Sequence, residues 1–165
     1  MSHVVVVVGN PRPASRTHSV AARAATAVVP GSQPEIVDLT ELAPFLLVPG
    51  PAPELAEALE AVKAADVLLV ASPTYKGTYT GLLKSFLDLL PGGALTGKIA
   101  LPLLVMGSPR HALAVEVHLR PLLVELGAVV PTPGLAVVEA DLERLDDVLS
   151  AWATALRQQL PEEGR

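Results

Sequence analysis

Five consecutive valines, Val4 to Val8, begin the hydrophobic pattern of the chain. They are β-branched and apolar at every position, which predicts a strand buried on both faces. Apolar runs of this kind recur, and the expected strands are His3–Val8, Glu35–Leu39, Val67–Ala71, Ile99–Met106 and Val129–Val138. The stretches Thr17–Val28, Glu54–Ala65, Thr80–Leu90, Ala112–Leu126 and Leu142–Leu160 read instead as helices. In the third of these, Leu82, Leu83, Phe86, Leu87 and Leu90 fall on one helical face. The last carries a comparable stripe through Leu142, Leu145, Leu149, Trp152, Leu156 and Leu160. Alternation of strand and helix from end to end predicts an α/β fold, with a parallel sheet between two helical layers. Five strands fit the doubly wound order 2-1-3-4-5, in which ligands sit beyond the strand C-termini where the order reverses. No repeat, low-complexity tract or linker interrupts the pattern, so residues 1–165 are expected to form one domain.

Two segments depart from this regularity. Pro44 to Pro53 holds four of the sixteen prolines around the apolar patch Phe45-Leu46-Leu47-Val48. Proline keeps such a loop extended and blocks helix, and the patch serves either to cap the fold or to meet another subunit. The fourth helical stretch is apolar nearly all round, through Leu113, Val115, Val117, Leu119, Leu122, Leu123, Val124 and Leu126. Its Pro121 removes a backbone hydrogen bond and forces a kink or bulge. A subunit interface is the preferred reading of this helix, against deep packing within a monomer.

Composition removes several classes of function. Of 165 residues, 50% are hydrophobic and 18% charged, enough for a substantial core and unlike a disordered chain. Aromatics make up only 3%, so Ala, Val and Leu must build that core. The net charge of −5, without a basic run, argues against nucleic acid as the main ligand. The absence of cysteine excludes disulfides, cysteine-based zinc sites and thiol catalysis, including a cysteine phosphatase. The first apolar run lacks a preceding basic region and is too short for a signal peptide or a membrane span. A cytoplasmic location without membrane attachment is therefore expected.

Candidate chemistry gathers in three loops that the fold would place along one sheet edge. After the valines comes Gly9-Asn10-Pro11-Arg12-Pro13-Ala14-Ser15-Arg16-Thr17, leading into an alanine-rich helix. A helix N-terminus offers free N–H groups and partial positive charge to a phosphate. Here Ser15 and Thr17 add hydroxyl donors, while Arg12 and Arg16 add charge. The same residues also fit a plain strand-to-helix turn capped by Ser15 or Thr17. The second loop, Ala71 to Gly81, contains Pro73-Thr74-Tyr75-Lys76-Gly77 and both tyrosines of the chain, Tyr75 and Tyr79. Its backbone amides and a projecting tyrosine suit a planar aromatic ligand, or the tyrosines simply pack at the rim. In the third loop, Met106-Gly107-Ser108-Pro109-Arg110-His111, Gly107 permits close backbone approach to a ligand. His111 reads as a cap for the next helix, and no general acid or base is assigned.

With these loops in place the chain resembles the NADPH-dependent FMN reductases of flavodoxin-like, three-layer fold. Among their branches it is most similar to the reductases of alkanesulfonate assimilation. The resemblance rests on Gly9 to Thr17 and, most specifically, on Ser72-Pro73-Thr74-Tyr75-Lys76-Gly77-Thr78-Tyr79-Thr80-Gly81-Leu82-Leu83-Lys84. It continues through Phe86 to Pro91, Leu95-Thr96-Gly97-Lys98 and Gly107 to Gly127. It implies that Ser15, Arg16 and Thr17, helped by Asn10 and Arg12, hold the phosphate of FMN. Pro73, Thr74, Tyr75 and Lys76 would flank the isoalloxazine ring, and Gly107 with Ser108 would meet its other edge. It further implies NADPH or NADH as hydride donor, a homodimer or homotetramer, and a flavin-dependent monooxygenase as consumer of reduced FMN. The sulfonate branch carries an aromatic or histidine insertion in the fourth helix that makes a π-bulge at its tetramer interface. Here Val117 and His118 stand in that region without a tyrosine.

The implied reaction is hydride transfer from nicotinamide C4 to flavin N5, with the redox chemistry residing in the flavin. Arg12, Arg16 and Arg110 are candidates to meet a 2′-phosphate, on charge alone. The alternative within the same site is a quinone, azo or chromate reductase that retains its flavin. A flavodoxin-type electron carrier fits less well, since such carriers are more acidic and have a Gly-rich Thr/Ser phosphate loop. A receiver-type regulator needs aspartates where Gly9 and Ser72 stand.

Overall fold

The computed structural model describes residues 2–50 and 52–158. Its sheet has five parallel strands in the order β2-β1-β3-β4-β5: β1 Val4–Val8, β2 Glu35–Asp38, β3 Val67–Pro73, β4 Ile99–Met106 and β5 Leu135–Val138. The helices are α1 Arg16–Val28, α2 Leu39–Leu42, α3 Pro53–Ala64, α4 Gly81–Leu87, α5 Arg120–Glu125 and α6 Leu145–Arg157. The expected last helix ran to Leu160, and its residues 159 and 160 lie outside the described residues, as does Pro51 of the proline-rich loop.

Alternating side chains of the central strands feed two cores. Val5, Val7, Leu68, Val70 and Leu104 join Phe86 of α4 and Leu123 of α5 on one face. Val4, Val6, Val8, Leu69 and Leu103 join Val20 of α1 and Leu149 of α6 on the other. All five valines are buried, as an all-apolar central strand requires. The register pairs Val8 with Ala71 and Pro73 with Val105, which brings the C-terminal ends of β1, β3 and β4 side by side.

β5 is shorter than expected. Val129 makes only an isolated bridge to Ile99, and the continuous strand begins at Leu135. Pro131 and Pro133 supply no N–H to a ladder, so pairing stops between them. The segment is held instead by side chains. Arg120 donates to the carbonyls of Val130 (2.8 Å) and Thr132. Glu116 accepts from Arg120 Nε at 2.6 Å and from the Gly134 amide. From the other side, Trp152 Nε1 donates to Pro133 O at 3.2 Å.

The anticipated irregularity in the fourth helical stretch is a π-helical turn, Val115–Leu119, closed by the Arg120 N–H donating to Val115 O. It lies just before Pro121, which cannot donate to the preceding turn. Val115, Leu119 and Leu123 are buried, whereas Leu113, Val117 and Val124 are exposed. The stretch is therefore packed on one side only, which overturns the alternative of deep packing within a monomer and leaves an apolar outer side. In the loop after α2, a 3₁₀ turn at Ala43–Phe45 precedes a buried Leu46 and exposed Leu47 and Val48. One residue of the patch caps the core and the others face outward. Among the described residues no helix is long and apolar enough to cross a membrane.

Candidate functional site

Gly9 closes β1, and its backbone ties the site to the rest of the sheet. Its N–H donates to Ala71 O at 2.8 Å, and its carbonyl accepts from Thr80 Oγ1 at 2.5 Å. Asn10, next along, is buried and fully engaged in shaping the loop. Its Oδ1 accepts from Arg12 N, its Nδ2 donates to Thr17 Oγ1, and its carbonyl accepts from Thr40 Oγ1, each at 3.0 Å. Ala14 then takes a left-handed φ of 49°, turning the chain into α1. Ser15 is the N-cap, its Oγ accepting from His18 N at 3.1 Å. The helix-cap and phosphate readings are thus compatible. Ser15 satisfies one orphan amide, while those of Arg16 and Thr17 have no acceptor among the described residues.

The β3–α4 loop is equally constrained. Thr74 N donates to Val105 O, and Tyr75 N donates to Thr78 O, both at 2.9 Å. Between Tyr75 and Thr78, Lys76 and Gly77 have φ of 55° and 85°. Two successive left-handed residues make the primed two-residue turn that matches strand twist. This turn leaves Tyr75 exposed. Tyr79 differs from expectation: it packs against the core beside α4 instead of projecting. Ser72 Oγ accepts from Thr80 N at 2.9 Å, and Thr80 caps α4 by accepting from Leu83 N at 3.1 Å.

In the third loop, Ser108 caps a short 3₁₀ turn, Pro109–His111. His111 ends that turn, its Nδ1 3.5 Å from Thr74 Oγ1. It therefore bridges two loops and does not cap the helix that follows.

A cleft of about 380 Å³ opens between these elements. It brings together Asn10, Arg12, Ser15, Arg16 and Thr17 with Pro73 and Tyr75, which come from separate strand ends. Thr74, Lys76, Gly107 and Ser108 lie on the flanking loops, outside the lining of the cleft. A Cβ at Gly107 would meet nothing within 4 Å, so its backbone stays open to a ligand edge. A larger groove, about 540 Å³, runs between α1 and α6, where the Arg23–Asp146 pair lies away from the strand ends. One lining residue was not anticipated. Glu139, the first residue after β5, enters the cleft and pairs with Arg16, its Oε2 2.5 Å from Nη1. Only its position just beyond the C-terminus of a strand could have marked it, because α6 returns beside α1.

Two guanidinium groups, two hydroxyls and two unpaired amides suit a dianionic phosphate. A tyrosine and a proline at the other end suit a flat ring. This donor set fits a flavin mononucleotide. The family described as NADPH-dependent FMN reductase matches residues 2–142. The chain belongs to this family. The FMN reductase (NADPH) of Escherichia coli K12 is 40% identical over 129 residues, covering 76% of this chain and 67% of that protein. NADH-dependent FMN reductase SfnF of Pseudomonas fluorescens is 42% identical over 88 residues, or 53% of this chain. That match spans less than half of the SfnF length, 47%. The solved apo structure of the NADH:FMN oxidoreductase EMOB superposes with a TM-score of 0.88 at 35% identity. It covers 99% of this chain and 92% of its own. The flavodoxin-like order of the sheet is thus shared with an FMN reductase of known structure.

Proposed function

We propose that the protein is an NAD(P)H-dependent FMN reductase whose flavin lies in the cleft between the β1–α1 and β3–α4 loops. The observation that carries this reading is the convergence of Arg12, Ser15, Arg16 and Thr17 with Pro73 and Tyr75 at the strand-order reversal. The flavin, when bound, supplies the redox chemistry by accepting hydride at N5 from nicotinamide C4. The chain's task is to hold and orient. The amides of Arg16 and Thr17 and the hydroxyl of Thr17 meet the phosphate, with Arg12 and Arg16 supplying charge. Asn10 aims Thr17 through its 3.0 Å bond and keeps the loop in one shape. Pro73, Thr74, Tyr75 and Lys76 flank the ring, and Gly107 and Ser108 approach its opposite edge. Residues 1–165 act as one FMN-binding domain in the cytoplasm, delivering reduced FMN to a flavin-dependent monooxygenase. The exposed Leu113, Val117 and Val124 form the contact face of a homodimer or homotetramer.

Purified protein mixed with FMN should oxidise NADPH or NADH, followed separately at 340 nm. No oxidation of either nucleotide with any flavin removes the enzyme reading, and turnover that persists only with tightly retained FMN favours the quinone-reductase alternative. The phosphate assignment has its own test. Thr17→Ala is expected to weaken FMN about tenfold and riboflavin less than twofold, since only FMN carries the phosphate. Flavin-fluorescence titration measures both, and equal losses would place the phosphate elsewhere.

A further inference from the structure

Inside the cleft, the Arg16 guanidinium already has an anion. Glu139, just beyond the C-terminal end of β5, reaches it, with Oε2 2.5 Å from Nη1. Both side chains are substantially exposed, so water and salt screen the pair and it adds little to folding. Glu139 lines the same cleft as Arg12, Ser15 and Thr17, so the carboxylate stands where it meets whatever anion those residues hold.

We propose that Glu139 is a built-in competitor for the flavin phosphate, lowering the affinity of the site for FMN and hastening its release. This rests on the reading of the cleft as the FMN phosphate site. When a phosphate dianion enters, the Arg16 guanidinium is shared between Glu139 and the incoming oxygens, and the carboxylate remains nearby as a like charge. The local charge is then one positive unit, from Arg12, Arg16 and Glu139, where two arginines alone would give two. A weaker hold on the phosphate suits a reductase that treats flavin as a substrate to be released. It works against one that keeps flavin as a prosthetic group. The effect falls on the phosphate and leaves the ring contacts of Pro73 and Tyr75 unchanged.

Glu139→Gln keeps the shape and removes the charge at an exposed position, so folding is not at stake. Titrations of wild type, Glu139→Gln and Thr17→Ala with FMN and with riboflavin, at low and at moderate salt, test the proposal. Glu139→Gln is expected to tighten FMN about five- to tenfold at low salt, to leave riboflavin within about twofold, and to steepen the salt dependence of FMN binding. Stopped-flow release of FMN should slow by a similar factor. Unchanged or weaker FMN binding in Glu139→Gln, or equal tightening of riboflavin, overturns the proposal. If Thr17→Ala still separates FMN from riboflavin in that case, the phosphate site stands and only the competitor role is lost. Equal weakening of both flavins by Thr17→Ala removes the site itself, and the competitor with it.

Discussion

Arg120→Ala should cost about 2–3 kcal/mol of folding stability, more than most single substitutions outside a hydrophobic core. The guanidinium holds together two pieces of chain that no ladder joins. It donates to Glu116 at 2.6 Å, to Val130 O at 2.8 Å and to Thr132 O. Its removal strands two carbonyls and a partly buried carboxylate together. Burial by itself disfavours the ionised form of Glu116, but the hydrogen bond from Arg120, the Gly134 amide and the Arg120 charge outweigh it, and its pKa is lowered from 4.5. A depressed carboxylate pKa contributes stability that is present above the unfolded-state value and is lost as pH falls through the folded-state value. Wild-type protein should therefore lose this contribution below pH 4.5. In Arg120→Ala burial is opposed only by the Gly134 amide, so the pKa of Glu116 rises and the contribution is gone already at neutral pH. Urea unfolding across pH, read by the single Trp152 that bonds Pro133 O in the same segment, measures both. Arg120→Lys should recover only part of the loss, since an ammonium cannot reproduce the fork that spans Glu116 and both carbonyls. Stability equal to wild type in Arg120→Ala would show that the 130–134 segment needs no clasp.

The elements most legible in the sequence were those whose pattern is local. Five valines in a row have few structural uses other than a central parallel strand, and the helical stripe through Leu83, Phe86 and Leu87 marks its buried face directly. The bulge around Pro121 was legible for the same reason, because a missing N–H has its effect within one turn. What escaped depends on distant partners. Nothing around Val129 announces that Arg120 will replace a strand ladder, and the expected strand ran through Pro131 and Pro133, whose missing N–H groups end the pairing. Tyr75 and Tyr79 read alike in sequence, and only the left-handed turn at Lys76–Gly77 sends one outward while the other packs beside α4. Asn10 was read as a phosphate helper, and the structure adds what sequence could not show, that its carboxamide bonds Arg12 and Thr17 and so shapes the loop. Glu139 reaches the cleft through tertiary structure alone, more than a hundred residues from Arg16.

Gly9→Ala should destabilise the fold by about 2–3 kcal/mol and weaken FMN and riboflavin together. A Cβ at this position would sit 2.6 Å from Leu83 Cβ and 3.3 Å from Leu83 Cγ and Cδ1. Leu83 Cβ is attached directly to the backbone of α4 and cannot swing aside as a flexible tip would. Leu83 is also fully buried, so the strain must move α4 or the end of β1. Either movement disturbs the clasp in which Thr80 Oγ1 donates to Gly9 O at 2.5 Å and accepts from Leu83 N at 3.1 Å. That clasp sets the distance between the β1–α1 loop and the β3–α4 loop, the two ends of the proposed flavin site. Affinity should therefore fall for both flavins, unlike Thr17→Ala, which spares riboflavin. Chemical denaturation and flavin titration of the same preparation check the two effects. Normal stability with normal flavin binding would mean that the sheet edge absorbs the methyl group, and that close approach at Gly9 is not what holds the two loops in register.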